Sequence, residues 1–246
     1  MGALEGGGAR LAYLDPPFNT GERFADFHDA MDRRAWLGAM EPRLLAAWAL
    51  LREDGSLWVH CDDAEQASLR VLLDDALAQA GLVWCGAGGD NVPRRKVFLR
   101  DAQGLVPSTW WTHEEAGHNA EASAEQRRLF PGERPFSTPK PERLMARIVG
   151  IATDPGDLVL DPFLGSATTA AVAHKLGRAW VGIEASEATS ARYAEPRLRA
   201  VVDGSDRGGI SDAAGWEGGG AFRTATASRA PRAPALAASP AGSAVA

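Results

Sequence analysis

The sequence predicts an α/β fold in which short apolar strands alternate with helices. Three observations carry that prediction. Short apolar runs, Leu11 to Leu14, Ser56 to Cys61, Asp157 to Leu160 and Trp180 to Ile183, each end in turn-forming or acidic residues. Between them lie stretches with the apolar spacing of helices. A chain of 246 residues with 45% hydrophobic content is long enough to bury these elements in one core.

The first strand, Leu11-Ala12-Tyr13-Leu14, runs into Asp15-Pro16-Pro17-Phe18 and then Asn19-Thr20-Gly21. Two consecutive prolines continue neither a strand nor a helix, so the chain is held in a rigid extended turn. That turn displays a carboxylate, a proline carbonyl and an aromatic ring. The set suits a flat heterocycle bearing an exocyclic amino group. The carboxylate and the carbonyl each accept one N–H while the ring stacks on the face of the heterocycle. Taken alone, the tetrapeptide also reads as a Pro-rich strand-to-loop turn.

The next predicted helix, residues 35–51, carries a stripe of Trp36, Leu37, Met40, Leu44, Leu45, Trp48 and Leu51. A turn at Glu53-Asp54-Gly55 separates it from the strand Ser56 to Cys61. Asp62-Asp63 then precede a helix over residues 64–80 that closes at Gly81. His60 and the two aspartates invite a catalytic reading. The simpler expectation is a strand-end histidine and an N-cap, since a carboxylate there accepts from the free helix amides.

Residues 86–136 read as irregular and rich in Gly, Arg, His and Trp. A net charge of −6 argues against a nucleic-acid partner for the chain as a whole. Charge is local, however, and Arg94, Arg95, Lys96, Arg100, Arg127, Arg128 and Arg134 cluster in this segment. They are candidate phosphate contacts, with a solvated surface as the alternative; salt-sensitive binding separates the two. His113 and His118 with Glu114 and Glu115 have passable metal spacing but no supporting cysteine cluster, and no metal is assigned. Trp110 and Trp111 could stack on bases, and are expected in the core.

The last strand-loop-helix unit is the most structured signal. Asp157 to Leu160 ends in Asp161-Pro162-Phe163-Leu164-Gly165-Ser166-Ala167-Thr168-Thr169, followed by a helical run over residues 170–176 and Gly177. Small residues let the backbone approach a ligand, and free N–H groups at a helix start point towards it. Trp180 to Ile183 then ends in Glu184, where a β-α-β nucleotide site holds ribose hydroxyls. The loop lacks the three glycines of a dinucleotide fingerprint, so a nicotinamide or flavin oxidoreductase fits poorly.

Beyond Val202 the composition shifts to Gly, Ala, Ser and Pro, and a disordered tail is expected over residues 203–246. Cys61 and Cys85 are too few for a disulfide framework. No apolar run is long enough to cross a bilayer, and the N-terminus lacks a signal pattern, so a cytoplasmic location is expected.

Taken together, these motifs resemble those of the amino-methylating DNA methyltransferases in their circularly permuted (β-group) order. The likeness is strongest to the modification subunit of type III restriction systems. Asp15-Pro16-Pro17-Phe18-Asn19-Thr20-Gly21 is similar to that family's catalytic motif, and Asp161 to Thr169 to its S-adenosyl-L-methionine loop. Between them, Ser137-Thr138-Pro139-Lys140-Pro141-Glu142-Arg143-Leu144 resembles the Lys-Pro-x-x-Leu element that closes over the methionine end of the cofactor. Residues 107–111 through Phe130 also resemble the family's middle region. The resemblance spans about residues 10–200 and rests on four elements in the family's order.

The resemblance implies a Rossmann-like sheet with helices on both faces over residues 1–202, with residues 86–136 as a short inserted target-recognition region. It implies base flipping in double-stranded DNA, with Asp15, Pro16, Pro17 and Phe18 catalytic. Cofactor contacts would come from Ser137, Thr138, Lys140, Asp161, Pro162, Phe163, Gly165, Ser166, Thr168 and Glu184. Arg94, Arg95, Lys96, Arg127 and Arg128 would touch DNA. Aspartate at the head of the tetrapeptide implies adenine N6 as the acceptor; the alternatives are cytosine N4 and a degenerate relative that binds without catalysis. A homodimer and a restriction subunit are the implied protein partners. Three departures stand out. Only Met1 to Arg10 precede the catalytic strand, Ala167 stands where the family has glycine, and Phe18 where tyrosine is commoner.

Overall fold

Strand β1 (Ala9–Leu14) lies inside the sheet. Its residues Ala9, Leu11, Ala12 and Leu14 are fully buried and Tyr13 nearly so. A strand covered on both faces needs apolar side chains on both, which is why this run shows no polar alternation. The computed structural model describes residues 8–22, 29–79 and 110–226. Among these, four parallel strands form one sheet in the order β2-β1-β3-β4, with β2 at Leu51–Val59, β3 at Leu158–Asp161 and β4 at Ala179–Gly182.

Helices cover both faces. Ala12 and Leu14 meet α1 (Arg33–Ala49) and α2 (Asp63–Gln79) through Trp36, Met40, Leu44 and Leu69. Leu11 and Tyr13 point the other way, into Met145, Ile148, Val149 and Val172. Those side chains come from α5 (Glu142–Ala152) and α6 (Thr168–Lys175). The predicted α/β class and the helices on both faces are therefore present, and the odd–even split along β1 follows from the two-residue period of a strand.

The predicted turn at Glu53-Asp54-Gly55 lies within β2 instead. Ala9 pairs with Leu51, yet Leu11 pairs with Ser56, so residues 52–55 bulge out of register. Arg52 Nε holds Asp54 at 3.0 Å and its Nη1 reaches Asp157 at 3.2 Å, while Arg10 also pairs with Asp54. The charges that suggested a turn pin a bulge at the strand's start. Gly55 fits because a Cβ there would lie 2.9 Å from the Ala9 carbonyl oxygen. At the other end, Asp62 caps α2 as expected, accepting from Ala64 N–H at 2.8 Å.

Two other expectations change. The C-terminal half of the central segment is helical, with α3 (His113–Ala116) and α4 (Asn119–Leu129) packed through buried Ala122, Glu125 and Gln126. Trp111 stacks on Trp58 at 5.9 Å and lies under the Arg147 guanidinium, whereas Trp110 is 79% exposed rather than in the core. Gly81, Cys85, Arg94, Arg95, Lys96 and Arg100 lie outside the described residues.

The folded unit also continues past Val202, where a disordered tail was expected. After α7 (Glu187–Thr189), a π-helical segment (Ser190–Ala194) and α8 (Glu195–Asp203), the chain forms α9 (Ser211–Ala214). It then runs back along α8, with Gly219 N–H donating to the Val202 carbonyl at 2.7 Å and Trp216 Nε1 to Val201 at 2.8 Å. Composition hid this because the anchors are polar. Asp206 pairs with buried Lys175 at 2.7 Å, and Ile210 N–H donates to Glu142 at 3.0 Å. Residues 227–246 of the expected tail lie outside the described residues. Among the described residues no helix is long and apolar enough to cross a membrane.

Candidate active site

Because all four strands are parallel, their C-terminal ends share one edge, and the loops that leave them converge there. The turn after β1, the loop after β3 and the residues after β4 surround a cavity of about 680 Å³. Its wall includes Asp15, Pro16, Pro17 and Phe18 from the first loop, Pro162, Phe163 and Gly165 from the second, and Glu184 from the third. Thr138 and Lys140 close it from the segment before α5, and α1 adds Trp36, Met40 and Arg43.

Asp15 is the polar centre of this cavity. Its Oδ2 lies 2.5 Å from Lys140 Nζ. Its Oδ1 is buried and has no hydrogen-bond partner among the described residues. A buried carboxylate oxygen without a donor costs about 1–3 kcal/mol or more, which marks it as an acceptor for a bound group. The turn that presents it is fixed by Trp36, whose indole N–H donates to the Pro17 carbonyl at 2.7 Å. Downstream, Asn19 takes a positive φ of 61°. Asp29, 2% exposed, accepts from Asn19 N–H at 2.6 Å and from the Thr20 hydroxyl at 2.7 Å. The Asn19 amide donates to buried Glu65 at 2.9 Å. Asp29 and Glu65 escaped the sequence reading, since neither stands in a recognisable pattern and the fold alone brings them to the loop.

Phe18 also has unexpected neighbours. The His60 ring lies nearly parallel to it, with centroids 5.4 Å apart and planes at 9°, and Lys140 Nζ is 5.2 Å from the Phe18 centroid. His60 Nδ1 is 3.1 Å from the Tyr13 hydroxyl. Burial is the main cause that lowers the His60 pKa; Asp15 works against it and Lys140 with it. The expected strand-end histidine therefore sits beside the Asp15-Pro16-Pro17-Phe18 turn as a neutral ring.

The loop after β3 is built around two left-handed residues, Gly165 at φ 52° and Ala167 at φ 62°. Glu184 ties it down, accepting from Gly165 N–H at 2.9 Å and Ser186 N–H at 2.8 Å. Asp161, at the end of β3, accepts from Phe163 N–H at 2.9 Å. Burial first, then Asp15 and Glu184, push its pKa up to about 7 against a hydrogen bond from Thr169.

Four expected cofactor contacts are not on the cavity wall. Ser166 and Thr168 are buried, and the Arg197 guanidinium holds the Ser166 carbonyl at 3.4 Å and the Thr168 hydroxyl at 2.8 Å. Thr168 opens α6, so its side chain turns into the helix packing rather than the cavity. Asp161 lies beneath the loop, and the Ser137 hydroxyl accepts from Arg134 at 3.4 Å. Arg197 belongs to a buried cluster under this loop. Glu142 accepts from Arg197 and Lys175 at 2.9 Å each, and Lys175 also pairs with Asp206. Glu125 accepts from Glu142 N–H at 3.2 Å.

Of the candidate DNA contacts, Arg127 and Arg128 are exposed in the last turn of α4. The adjacent Gln126 accepts from Phe136 N–H at 2.7 Å, and Phe136 lines the cavity. His113 and His118 stack on each other at 5.9 Å, and among the described residues no cluster of His, Cys, Asp and Glu is placed to hold a metal.

Known proteins resemble this chain in sequence and in fold. The N6/N4 family model described as DNA methylase matches residues 9–85 and 89–195. A probable type III restriction-modification enzyme HindVI Mod subunit of Haemophilus influenzae is 52% identical over 83 residues, which is 34% of this chain and 11% of that protein. The type II methyltransferase M.EcaI of Enterobacter cloacae is 24% identical over 294 aligned positions, covering 74% of this chain and 63% of its own length. The chain thus spans less than two thirds of either curated relative. Among solved structures, the PvuII DNA methyltransferase (cytosine-N4-specific) superposes with a TM-score of 0.51 at 16% identity. That match covers 77% of this chain and 78% of the other, and it supports the shared fold.

Proposed function

Because the chain belongs to the DNA methylase family whose model spans residues 9–85 and 89–195, we propose that it methylates the exocyclic N6 of adenine in DNA. The methyl donor would be S-adenosyl-L-methionine. The observation that carries this reading is Asp15 on the cavity wall, with one oxygen paired to Lys140 and the other buried and without a hydrogen-bond partner among the described residues. An amino group entering the cavity supplies the donor that this oxygen lacks.

The exocyclic amine of a base is a poor nucleophile because its lone pair is delocalised into the ring. Asp15 Oδ1 and the Pro16 carbonyl, accepting one N–H each, favour a pyramidal nitrogen with its lone pair directed outward. Phe18 offers a face for the flipped base, whose removal from the duplex costs a few kcal/mol. The cavity is large enough for a nucleotide-sized donor beside a base. Gly165 lets Phe136 pack against the loop, since a Cβ there would meet that ring at 3.3 Å. Glu184, Gly165, Phe163 and Thr138 would hold the donor, whose sulfonium supplies an electrophilic methyl group. Lys140 lies within reach of both partners. Most of the catalysis is then positioning, and holding two reactants in line is worth about 7–11 kcal/mol.

Adenine rather than cytosine follows from the aspartate that heads the motif. Cytosine N4 offers the same pair of N–H donors and is the second reading. Residues 1–202 would form the methyltransferase domain, extended by the ordered segment through 226, with DNA contacts from Arg127 and Arg128. The family resemblance favours a cytoplasmic enzyme of a restriction-modification system, acting with a restriction subunit or as a homodimer. The test is methyl transfer to unmethylated bacterial DNA, with the digested nucleosides identified by mass spectrometry and Asp15→Ala as control. N6-methyladenine that disappears in the control supports the proposal. N4-methylcytosine moves the assignment to the second reading, and an equal signal from the Asp15→Ala protein sinks both.

A further inference from the structure

We infer that His60 is a positioning residue for Phe18, backing the ring on which the target base stacks. The inference rests on the methyltransferase reading above and extends it to a residue outside the catalytic motif.

The two rings are offset-parallel, 5.4 Å apart at 9°. Phe18 and Lys140, whose Nζ lies 5.2 Å from the Phe18 centroid, are both on the cavity wall, whereas His60 is not among the wall residues; we take the imidazole as the backing behind the ring. His60 is itself anchored. Its Nδ1 lies 3.1 Å from the Tyr13 hydroxyl, and the two rings meet edge-on at 6.5 Å and 83°. Tyr13 is 2% exposed, inside β1. A continuous chain of contacts thus runs from the sheet core through Tyr13 and His60 to Phe18 and the cavity.

The backbone on either side of Phe18 is already fixed, by Trp36 at the Pro17 carbonyl and by Asp29 at Asn19 and Thr20, so what the imidazole adds is the orientation of the ring itself. An aromatic ring at a loop start loses rotamer freedom when a base stacks on it, and a ring already held loses less. A histidine suits the backing position for two reasons. Its ring stacks flat, which is the part of the arrangement that holds Phe18, and its Nδ1 meets the buried Tyr13 hydroxyl. The charged groups facing it are Asp15 and Lys140. Burial keeps the imidazole neutral, so it does not compete with Lys140 for Asp15.

The test uses the full chain, tritiated S-adenosyl-L-methionine and unmethylated bacterial DNA. His60→Ala leaves the stacking ring in place but unheld, and is expected to raise the DNA KM about tenfold and to leave the KM for the methyl donor unchanged. His60→Phe keeps the stack and is expected to return the DNA KM to within about twofold of wild type. A wild-type DNA KM in a folded His60→Ala protein overturns the inference, as does an equal rise in both KM values in both variants. If His60→Ala does not fold, His60→Phe decides alone, and a DNA KM more than about fivefold above wild type overturns it. A second readout is independent of activity. With 4-fluorophenylalanine incorporated and the Phe18 signal assigned by Phe18→Leu, that signal is expected to sharpen in His60→Ala as the ring gains freedom. An unchanged signal counts against His60. An inactive wild-type protein whose Phe18 signal still responds to His60→Ala would remove the methyltransferase reading and leave the backing role standing.

Discussion

Lys140 Nζ and Asp15 Oδ2 lie 2.5 Å apart, an ion pair that bridges 125 residues of sequence. It joins the segment before α5 to the end of β1, and it leaves Asp15 Oδ1 buried without a hydrogen-bond partner among the described residues. Asp15→Asn replaces one acceptor oxygen by a donor and is expected to lower kcat at least about 100-fold without unfolding the protein. Lys140→Met removes the group that orients the carboxylate, and about a tenfold loss is expected. Steady-state methyl transfer on unmethylated DNA measures both; full activity in Asp15→Asn would refute the assignment.

Ala167 holds a left-handed φ of 62° while fully buried among Ala170, Ala194 and Leu198. An L-residue in that conformation costs about 1–2 kcal/mol, which glycine avoids. Ala167→Gly also loses a buried methyl worth about 0.8 kcal/mol and gains unfolded-state entropy. The opposing effects leave its stability within about 1 kcal/mol of wild type. Ala167→Val adds β-branching and overpacking, and about 3 kcal/mol of destabilisation is expected. Urea unfolding compares the three proteins. A valine variant as stable as the alanine protein would show that the loop does not hold this conformation.

Glu142 is the shared acceptor for two buried cations, Lys175 and Arg197. Glu142→Ala strands both and is expected to cost about 3–5 kcal/mol. Ending the chain at Val202 removes Asp206 and the Ile210 N–H from the same cluster, and a comparable loss is expected. Thermal unfolding of each variant checks this; a shortened chain as stable as the full one would separate the C-terminal segment from the fold.

Two buried carboxyls set a pH dependence. Burial and the nearby Glu142 push the Glu125 pKa to about 7 from 4.5, and Asp161 reaches about 7 from 3.8. Since the folded values lie above the unfolded ones, the folded state binds more protons between them. Their contribution is then fully present below the unfolded pKa and is lost as pH rises through about 7. Glu125→Gln is expected to flatten the decline in stability between about pH 5 and 8. Denaturation midpoints across that range provide the measurement, and an identical slope in the variant would count against the shifted Glu125.

Arg127 and Arg128 extend from the last turn of α4, beside the Gln126 that holds the cavity residue Phe136. If they touch phosphates, replacing both with Gln weakens binding to all DNA sequences alike. The slope of log affinity against log salt then falls by about 1 to 2. Fluorescence anisotropy at several salt concentrations reads this slope, and no change would leave them as surface charge.

The Asp15-Pro16-Pro17-Phe18 turn, the Gly165 loop and Glu184 were legible because each stands at the end of an apolar strand. Asp15 to Phe18, Gly165 and Glu184 do line one cavity. Asp29 and Glu65 were not legible beside the motif, and His60, which invited a catalytic reading, read more simply as a strand-end histidine. Each acts on the motif from a different segment, and nothing in its own neighbours distinguishes it from a surface acid or a strand-end histidine. Trp110 and the segment after Val202 misled for the opposite reason. Residue type predicted burial for the first and disorder for the second, whereas burial depends on what packs against a residue.

Local sequence determined the α/β class, the order of the strands along the chain and the identity of the motif residues, because strand and helix periods and proline geometry act over a few residues. The tertiary structure decided which charges meet. It placed Lys140 on Asp15, turned Thr168 towards Arg197 rather than the cavity, and drew Asp206 into a buried cluster with Lys175. These pairings join segments 29 or more residues apart. The physical reason is that a charge removed from water must find its partner in space, and the parallel sheet, not the spacing along the chain, sets which partners are within reach.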